Sequence, residues 1–287
     1  MAAENDRDEV TGTNTTGHEW DGIKELDTPM PRWWLWTFYA TIVWGIGYTI
    51  AYPAWPLISS ATSGFLGYSS RAEVAQTIEV ASAAQSVYLD RIAALDVAEV
   101  AADQELMSFS MAGGAAVFRT TCSQCHGTGG GGAPGYPNLL DDAWLWGGDL
   151  EAIHTTIAYG VRSDHENTRF SQMPAFAGAL ERNQIEAVVE HVRFLSGQDH
   201  DAALAETGAG VFAENCAACH GDDAKGMVEM GAPDLTDVIW LYGGDHETLM
   251  RTVTRGRGGV MPAWSGRLTE AQIKEVAVYV HSLGGGE

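Results

Sequence analysis

Residues 122–126 read Cys-Ser-Gln-Cys-His and residues 216–220 read Cys-Ala-Ala-Cys-His. Each pentapeptide lies in a longer copy of one pattern. The first copy runs GAAVFRTTCSQCHG (114–127), YPNL (136–139), WLWGGD (144–149) and MPAF (173–176). The second runs GAGVFAENCAACHG (208–221), APDL (232–235), WLYGGD (240–245) and MPAW (261–264). Cys122 and Cys216 are 94 residues apart, Trp144 and Trp240 are 96 apart, and Met173 and Met261 are 88 apart. The second copy is therefore about eight residues shorter just ahead of its methionine. The chain carries one unit twice.

Cys-x-x-Cys-His is the spacing that attaches a c-type haem. Two thiols form thioethers to the vinyl groups, and the adjacent histidine is placed to bind iron from one face. A zinc site needs four ligands, and the distance between the two motifs is unlike a compact zinc ribbon. A thioredoxin-like pair explains neither the histidine nor the lack of a βαβ pattern. Two covalent haems c are expected, on Cys122 and Cys125 with His126, and on Cys216 and Cys219 with His220. The sixth ligand should arrive on a loop from the opposite face. Met173 and Met261, each in a Met-Pro-Ala-aromatic segment ahead of the last helix of its copy, are the expected thioether ligands. Such ligation raises the reduction potential and fills the last iron position, which suits electron transfer over oxygen or peroxide chemistry. Pro137 and Pro233 can offer carbonyls to the histidines' other ring nitrogens. Met227 and Met230 have no counterpart in the first copy and are read as packing near a haem edge. The remaining histidines share no repeat position and are read as surface or structural.

Around these motifs the periodicity is helical. Ile185, Val188, Val189, Val192 and Leu195 follow the i, i+3, i+4, i+7 rule, as do Ile273, Val276, Ala277, Val280 and Leu283. Thr269 and Gln272 form a capping box for the second of these helices. Gly114 and Gly208, each four residues before a phenylalanine, would let the opening helix of a copy cross closely over the final one of that copy.

The whole chain has 287 residues, room for two small domains. With 16 basic and 38 acidic residues its formal net charge is −22, which argues against nucleic acid as a partner. Four cysteines, all in the two motifs, exclude a disulfide-stapled mini-protein. From Trp33 to Ser70 no residue is charged, and five of the ten tryptophans fall in residues 33–58. Residues 33–52 would span ~30 Å as a helix, with aromatic rings at both ends, so a single uncleaved transmembrane helix is expected, stopping or kinking at Pro53 and Pro56. The preceding tail is long and acidic, unlike a signal peptide, and the basic residues flanking the span favour a cytoplasmic N-terminus. The expected fold is thus all-α: a cytoplasmic tail (1–32), a transmembrane helix (33–58), a partly helical linker (59–107), and two tandem domains (108–199 and 200–287) whose motif order resembles that of class I cytochromes c.

The order of these features resembles one family over nearly the full length. HEWDGIKELDTPMPRWWLWTF (18–38), followed by the two CHG…GGD…MPA sets, is similar to the dihaem subunit III, the FixP or CcoP type, of cbb3-type cytochrome c oxidase. The resemblance implies a subunit in the bacterial inner membrane with periplasmic haem domains. It would take electrons from a donor cytochrome c and pass them to a monohaem subunit and then a haem–copper subunit, where oxygen is reduced. It also implies that His126, Met173, His220 and Met261 are the axial iron ligands. Pairing of each methionine with the haem of its own copy and exchange of loops between two packed domains both remain open. A free-standing membrane-tethered carrier and a dihaem peroxidase are the alternatives.

Overall fold

The computed structural model describes residues 7–286, which divide after Ser82 into two compact units. The first opens on a β-hairpin, β1 (Thr15–Trp20) and β2 (Ile23–Leu26), with Trp20 opposite Ile23 and Glu19 opposite Lys24. Asp21 and Gly22 make its two-residue turn, at φ +50° and +85°. Asp-Gly is a strong hairpin signal because such a turn needs positive φ at both central residues. Helix α1 (Arg32–Ala51) follows and ends just before Tyr52-Pro53, as the prolines demand. Phe65 and Leu66 return to donate their N–H groups to the Ile50 and Ala51 carbonyls, which the helix end leaves open.

Two corrections to the expected fold class arise here. The hairpin means that the chain is not all-α. Among the described residues no helix is long and apolar enough to cross a membrane. The physical reason lies in composition: a run without charge is not thereby apolar. The 20 residues of α1 include four tryptophans, two tyrosines, three threonines and two glycines, which dilute its aliphatic content. None of its side chains is buried.

Helix α2 (Ser70–Ala94) leads into the second unit, followed by α3 (Val97–Ala102) and α4 (Gln104–Val117). One π-turn (Phe118–Cys122) links α4 to the short α5 (Ser123–His126). Then come α6 (Leu150–Tyr159), α7 (Arg182–Leu195), α8 (Ala202–Asn215), α9 (Ala217–His220), α10 (His246–Arg255) and α11 (Glu270–His281). Aspartates start four of these helices: Asp103, Asp149, Asp201 and Asp245 each accept backbone N–H groups of the first turn. The aspartate of each Gly-Gly-Asp signature is thus an N-cap, for α6 and α10. Thr269 and Gln272 form the expected capping box of α11.

The packing runs across the repeat. Helix α4, from the first copy, crosses α11 at the end of the second; α8, which opens the second copy, crosses α7 at the end of the first. Glycine makes both crossings possible. A Cβ at Gly114 would collide with the Glu275 carbonyl and the Tyr279 side chain, and one at Gly208 with the Ala187 carbonyl and the His191 side chain. Two apolar cores result. One joins Phe118 and Ile157 to Ile273, Val276 and Val280; the other joins Val188 and Val192 to Phe212, Leu249 and Val253. The first core also takes in Ile92, Val97, Val100 and Leu106, so the chain from the end of α2 onward is part of it. Lys274 of α11 fixes that end, its Nζ donating to the Ala93 and Leu95 carbonyls at 3.0 and 2.7 Å.

Candidate functional site

Each Cys-x-x-Cys-His segment is a single helical turn closed by a glycine. A π-turn that ends at Cys122 joins the first segment to α4, and such turns are frequent at functional sites. His126 and His220 sit at the ends of α5 and α9, followed by Gly127 and Gly221 at φ +77° and +79°. Both rings meet the proline carbonyls that the sequence offered them: Nδ1 of His126 lies 3.0 Å from Pro137 O, and Nδ1 of His220 lies 3.1 Å from Pro233 O. A ring held this way donates from Nδ1 and keeps Nε2 as the free lone pair. Burial lowers the pKa of both imidazoles, outweighing the carbonyl bond, so both are neutral near pH 7. Burial likewise pushes up the Cys122 thiol, and raises that of Cys216 to about 11. These thiols lack the depressed pKa of a thioredoxin-type pair.

Beside α5 lies a cavity of about 460 Å³, within the size range of cofactor sites. Cys122, Cys125 and His126 line it, with Phe118, Trp144 and Met261. Met173 does not line it. It packs instead against the second core, as do Cys216 and Trp240. Of the two pairings open to the sequence, the exchanged one is what the structure brings together.

Short backbone ladders hold the exchange. Val161 and Met261 trade N–H···O bonds of 2.9 and 3.0 Å, and Met173 and Arg257 trade bonds of 3.0 and 3.1 Å. Trp264 N then donates to the end of α6, and Phe176 and Ala177 donate to α10. Each Met-Pro-Ala loop is thereby sewn to a helix of the other copy. Gly160 and Gly256 are needed at the seams. A Cβ at Gly160 would strike the Met261 carbonyl and one at Gly256 the Met173 carbonyl, and both residues have positive φ.

The donor set suits haem c. Two thiols one turn apart, a neutral imidazole oriented through its far nitrogen, and a thioether share an apolar cavity, which is what covalent attachment and axial ligation require. Met227 and Met230 sit partly exposed at a short 3₁₀ turn (Val228–Met230). His154 pairs with Glu270, and His246 with Glu190, at 3.1 and 2.7 Å; both contacts join helices. The repeat had revealed neither.

Residues 12–59 match the family described as the N-terminal domain of cytochrome oxidase-cbb3, FixP. Residues 110–192 and 203–280 match the one described as cytochrome c oxidase, cbb3-type, subunit III. The chain belongs to the cbb3-type subunit III family. It is 59% identical over 276 residues to the Cbb3-type cytochrome c oxidase subunit CcoP of Cereibacter sphaeroides, covering 95% of each chain. To subunit FixPc of Rhizobium leguminosarum bv. viciae it is 55% identical over 97% of this chain and 98% of the relative. To subunit FixP of Bradyrhizobium sp. strain ORS 278 it is 56% identical over the full length of both. As a subunit III the chain is a dihaem c-type cytochrome of an oxidase, and the two motif sets account for its two haems.

Proposed function

We propose that this chain is the electron-entry subunit of a cbb3-type oxidase, with no oxygen chemistry of its own. Cys122 and Cys125 attach one haem and Cys216 and Cys219 the other, with His126 and His220 as the proximal ligands. The distal ligands are exchanged: Met261 serves the haem on Cys122, and Met173 the haem on Cys216. The observation that carries this reading is the cavity in which Cys122, Cys125, His126 and Met261 meet. When bound, the haems supply reversible one-electron chemistry. The chain's own part is to hold both axial positions. The Pro137 and Pro233 carbonyls fix the imidazoles, and the paired backbones at Val161–Met261 and Met173–Arg257 hold the thioethers. Neither iron then has an open position for oxygen or peroxide.

Electrons come from a donor cytochrome c and leave for the monohaem subunit and the haem–copper subunit. The complex works at the bacterial inner membrane, with the haem-bearing unit in the periplasm. The acidity of the chain supports a basic donor. Residues 1–32 hold three basic and eight acidic groups, or −5, so −17 of the −22 lies beyond Trp33.

Carbon monoxide tests the ligation. The parent protein, with two low-spin haems, should bind none, whereas Met261→Ala should bind one per chain. That binding should disappear when Cys122 and Cys125 are also replaced by alanine, and persist when Cys216 and Cys219 are replaced instead. The reverse pattern would establish pairing within one copy. Purification from the native membrane tests the assembly, since a free-standing carrier would come away without stoichiometric oxidase subunits.

A further inference from the structure

Arg162 is not used by the ligand set, yet it lines the same cavity. Among the described residues lining that cavity there is no aspartate or glutamate, and Arg162 is the single lysine or arginine. Its backbone adopts φ +51°, a conformation that costs a non-glycine residue energy and is kept where surroundings impose it. The side chain is half-buried at the seam between the two copies. Its Nε donates to the Gly259 carbonyl at 2.5 Å, and its Nη1 donates to the Ser171 carbonyl. One acceptor belongs to the loop that carries Met261 and the other to the loop that carries Met173. Both are neutral. Among the described residues no carboxylate pairs with this guanidinium, although the chain has 38 acidic residues against 16 basic ones. Burial accordingly weakens its hold on its proton. A partly desolvated cation without a counter-charge is unfavourable, and a guanidinium has five N–H donors of which two are engaged here.

The second copy does not repeat this arrangement. Its arginine, Arg257, stands one residue after Gly256, whereas Arg162 stands two after Gly160. Arg257 donates through Nε and Nη2 to the Thr252 hydroxyl, and its Cζ lies over the Tyr242 ring, 4.2 Å from the ring centre. It is satisfied within the protein, while Arg162 retains donors for something that enters the cavity.

A haem brings two propionate carboxylates, and a guanidinium fork matches a carboxylate in charge and shape. We propose that Arg162 binds a propionate of the haem attached at Cys122 and Cys125, and so ties that haem's edge to both methionine loops. This rests on the reading that the cavity holds that haem. Ferric haem carries one more positive charge than ferrous haem, so a nearby cation favours the reduced state. Arg162 therefore raises this haem's potential and keeps its propionate ionised.

The test uses the full dihaem chain and the variants Arg162→Gln and Arg162→Lys. Midpoint potentials are titrated across pH, and the propionate bending band is followed by resonance Raman. In Arg162→Gln one of the two haem transitions should fall and become more pH-dependent near neutrality, because the propionate now titrates. The other transition should stay in place, and the propionate band should shift. Arg162→Lys should recover more than half of the potential change while still shifting the band, so the outcome does not hang on one variant. Variants with both haems, parental potential–pH curves and an unmoved propionate band would overturn the assignment. A parent chain with no haem on Cys122 and Cys125 would remove the underlying reading as well, and the haem count would identify that case.

Discussion

Glu275 sits on α11 where α4 crosses it, 3% exposed, and desolvation pushes its carboxyl pKa up to about 7 from 4.5. A Cβ at Gly113 would come within 2.5 Å of the carboxyl group, so the glycine leaves the room that the side chain fills. The sign of the pH effect follows from linkage. The folded state holds this proton more tightly, so its contribution is fully present below about pH 4.5 and is lost as pH rises through about 7. The loss is on the order of 3 kcal/mol at ~1.4 kcal/mol per unit. Glu275→Gln should therefore raise the unfolding temperature at pH 8, leave it near the parental value at pH 4.5, and flatten the slope between. Calorimetry of the haem-loaded protein at the two pH values checks this. Glu190 on α7 shows the opposite balance. Burial alone would raise its pKa, but the Asp201 N–H, Arg193 and His246 together hold it below its ordinary value. In the sequence both residues are ordinary glutamates inside helical patterns. Their roles depend on neighbours that the fold supplies.

Among the elements, helices α7 and α11 decide the most. Their apolar stripes were legible from spacing alone, and Ile185, Val188, Val189, Val192, Ile273, Val276, Ala277 and Val280 are all buried. The helix that each stripe covers was not legible, because α4 and α8 offer equivalent glycine crossings. Gly208→Leu should drive a side chain into the Ala187 carbonyl and His191, separating α8 from α7 at a cost of about 1–3 kcal/mol. A thermal melt should record the loss, with perturbation concentrated at the haem of Cys216. Lys274 makes a second element-scale case. Its side chain is buried and makes two charge-assisted bonds to the end of α2, which removing the donor forfeits, at about 1.5–3 kcal/mol. Lys274→Ala should speed amide hydrogen exchange in residues 92–100 while the spectrum of the haem at Cys216 stays unchanged. The hairpin belongs to this scale too. Its Trp-Asp-Gly-Ile turn stands in the sequence as a two-residue hairpin signal, Asp21 and Gly22 taking the positive φ such a turn requires.

In the whole molecule, exchange makes the two haem-binding halves interdependent. A chain ending at residue 199 keeps Cys122, Cys125 and His126 but lacks Met261, the proposed distal ligand, and α11, one wall of the first core. We expect this truncated chain to yield either no holoprotein or a haem open to carbon monoxide. A low-spin, carbon-monoxide-inert haem in the fragment would mean that a copy is self-sufficient. Charge acts at the same scale. If the −17 beyond Trp33 steers a basic donor, reduction by that donor should slow steeply with ionic strength, since screening shortens to ~8 Å at 0.15 M. A flat salt profile would count against steering.

The sequence by itself determined the repeat, the haem-attachment chemistry and the apolar stripes of the last helices; that the proline carbonyls meet the histidines was for the fold to decide. The first three are local: each depends on residues within about one helical turn, or on equivalent positions in two copies. The run from Trp33 is the exception: it carries no charge, yet along a helix rich in Trp, Tyr, Thr and Gly that does not make it apolar enough to cross a membrane. Tertiary structure alone decided that Met261 meets His126 in one cavity while Met173 joins the core of Cys216. Both copies carry the same motifs in the same order, so pairing within a copy and exchange between copies satisfy the same local pattern. The choice is made by the backbone ladders at Val161–Met261 and Met173–Arg257, which form only once the two copies lie together.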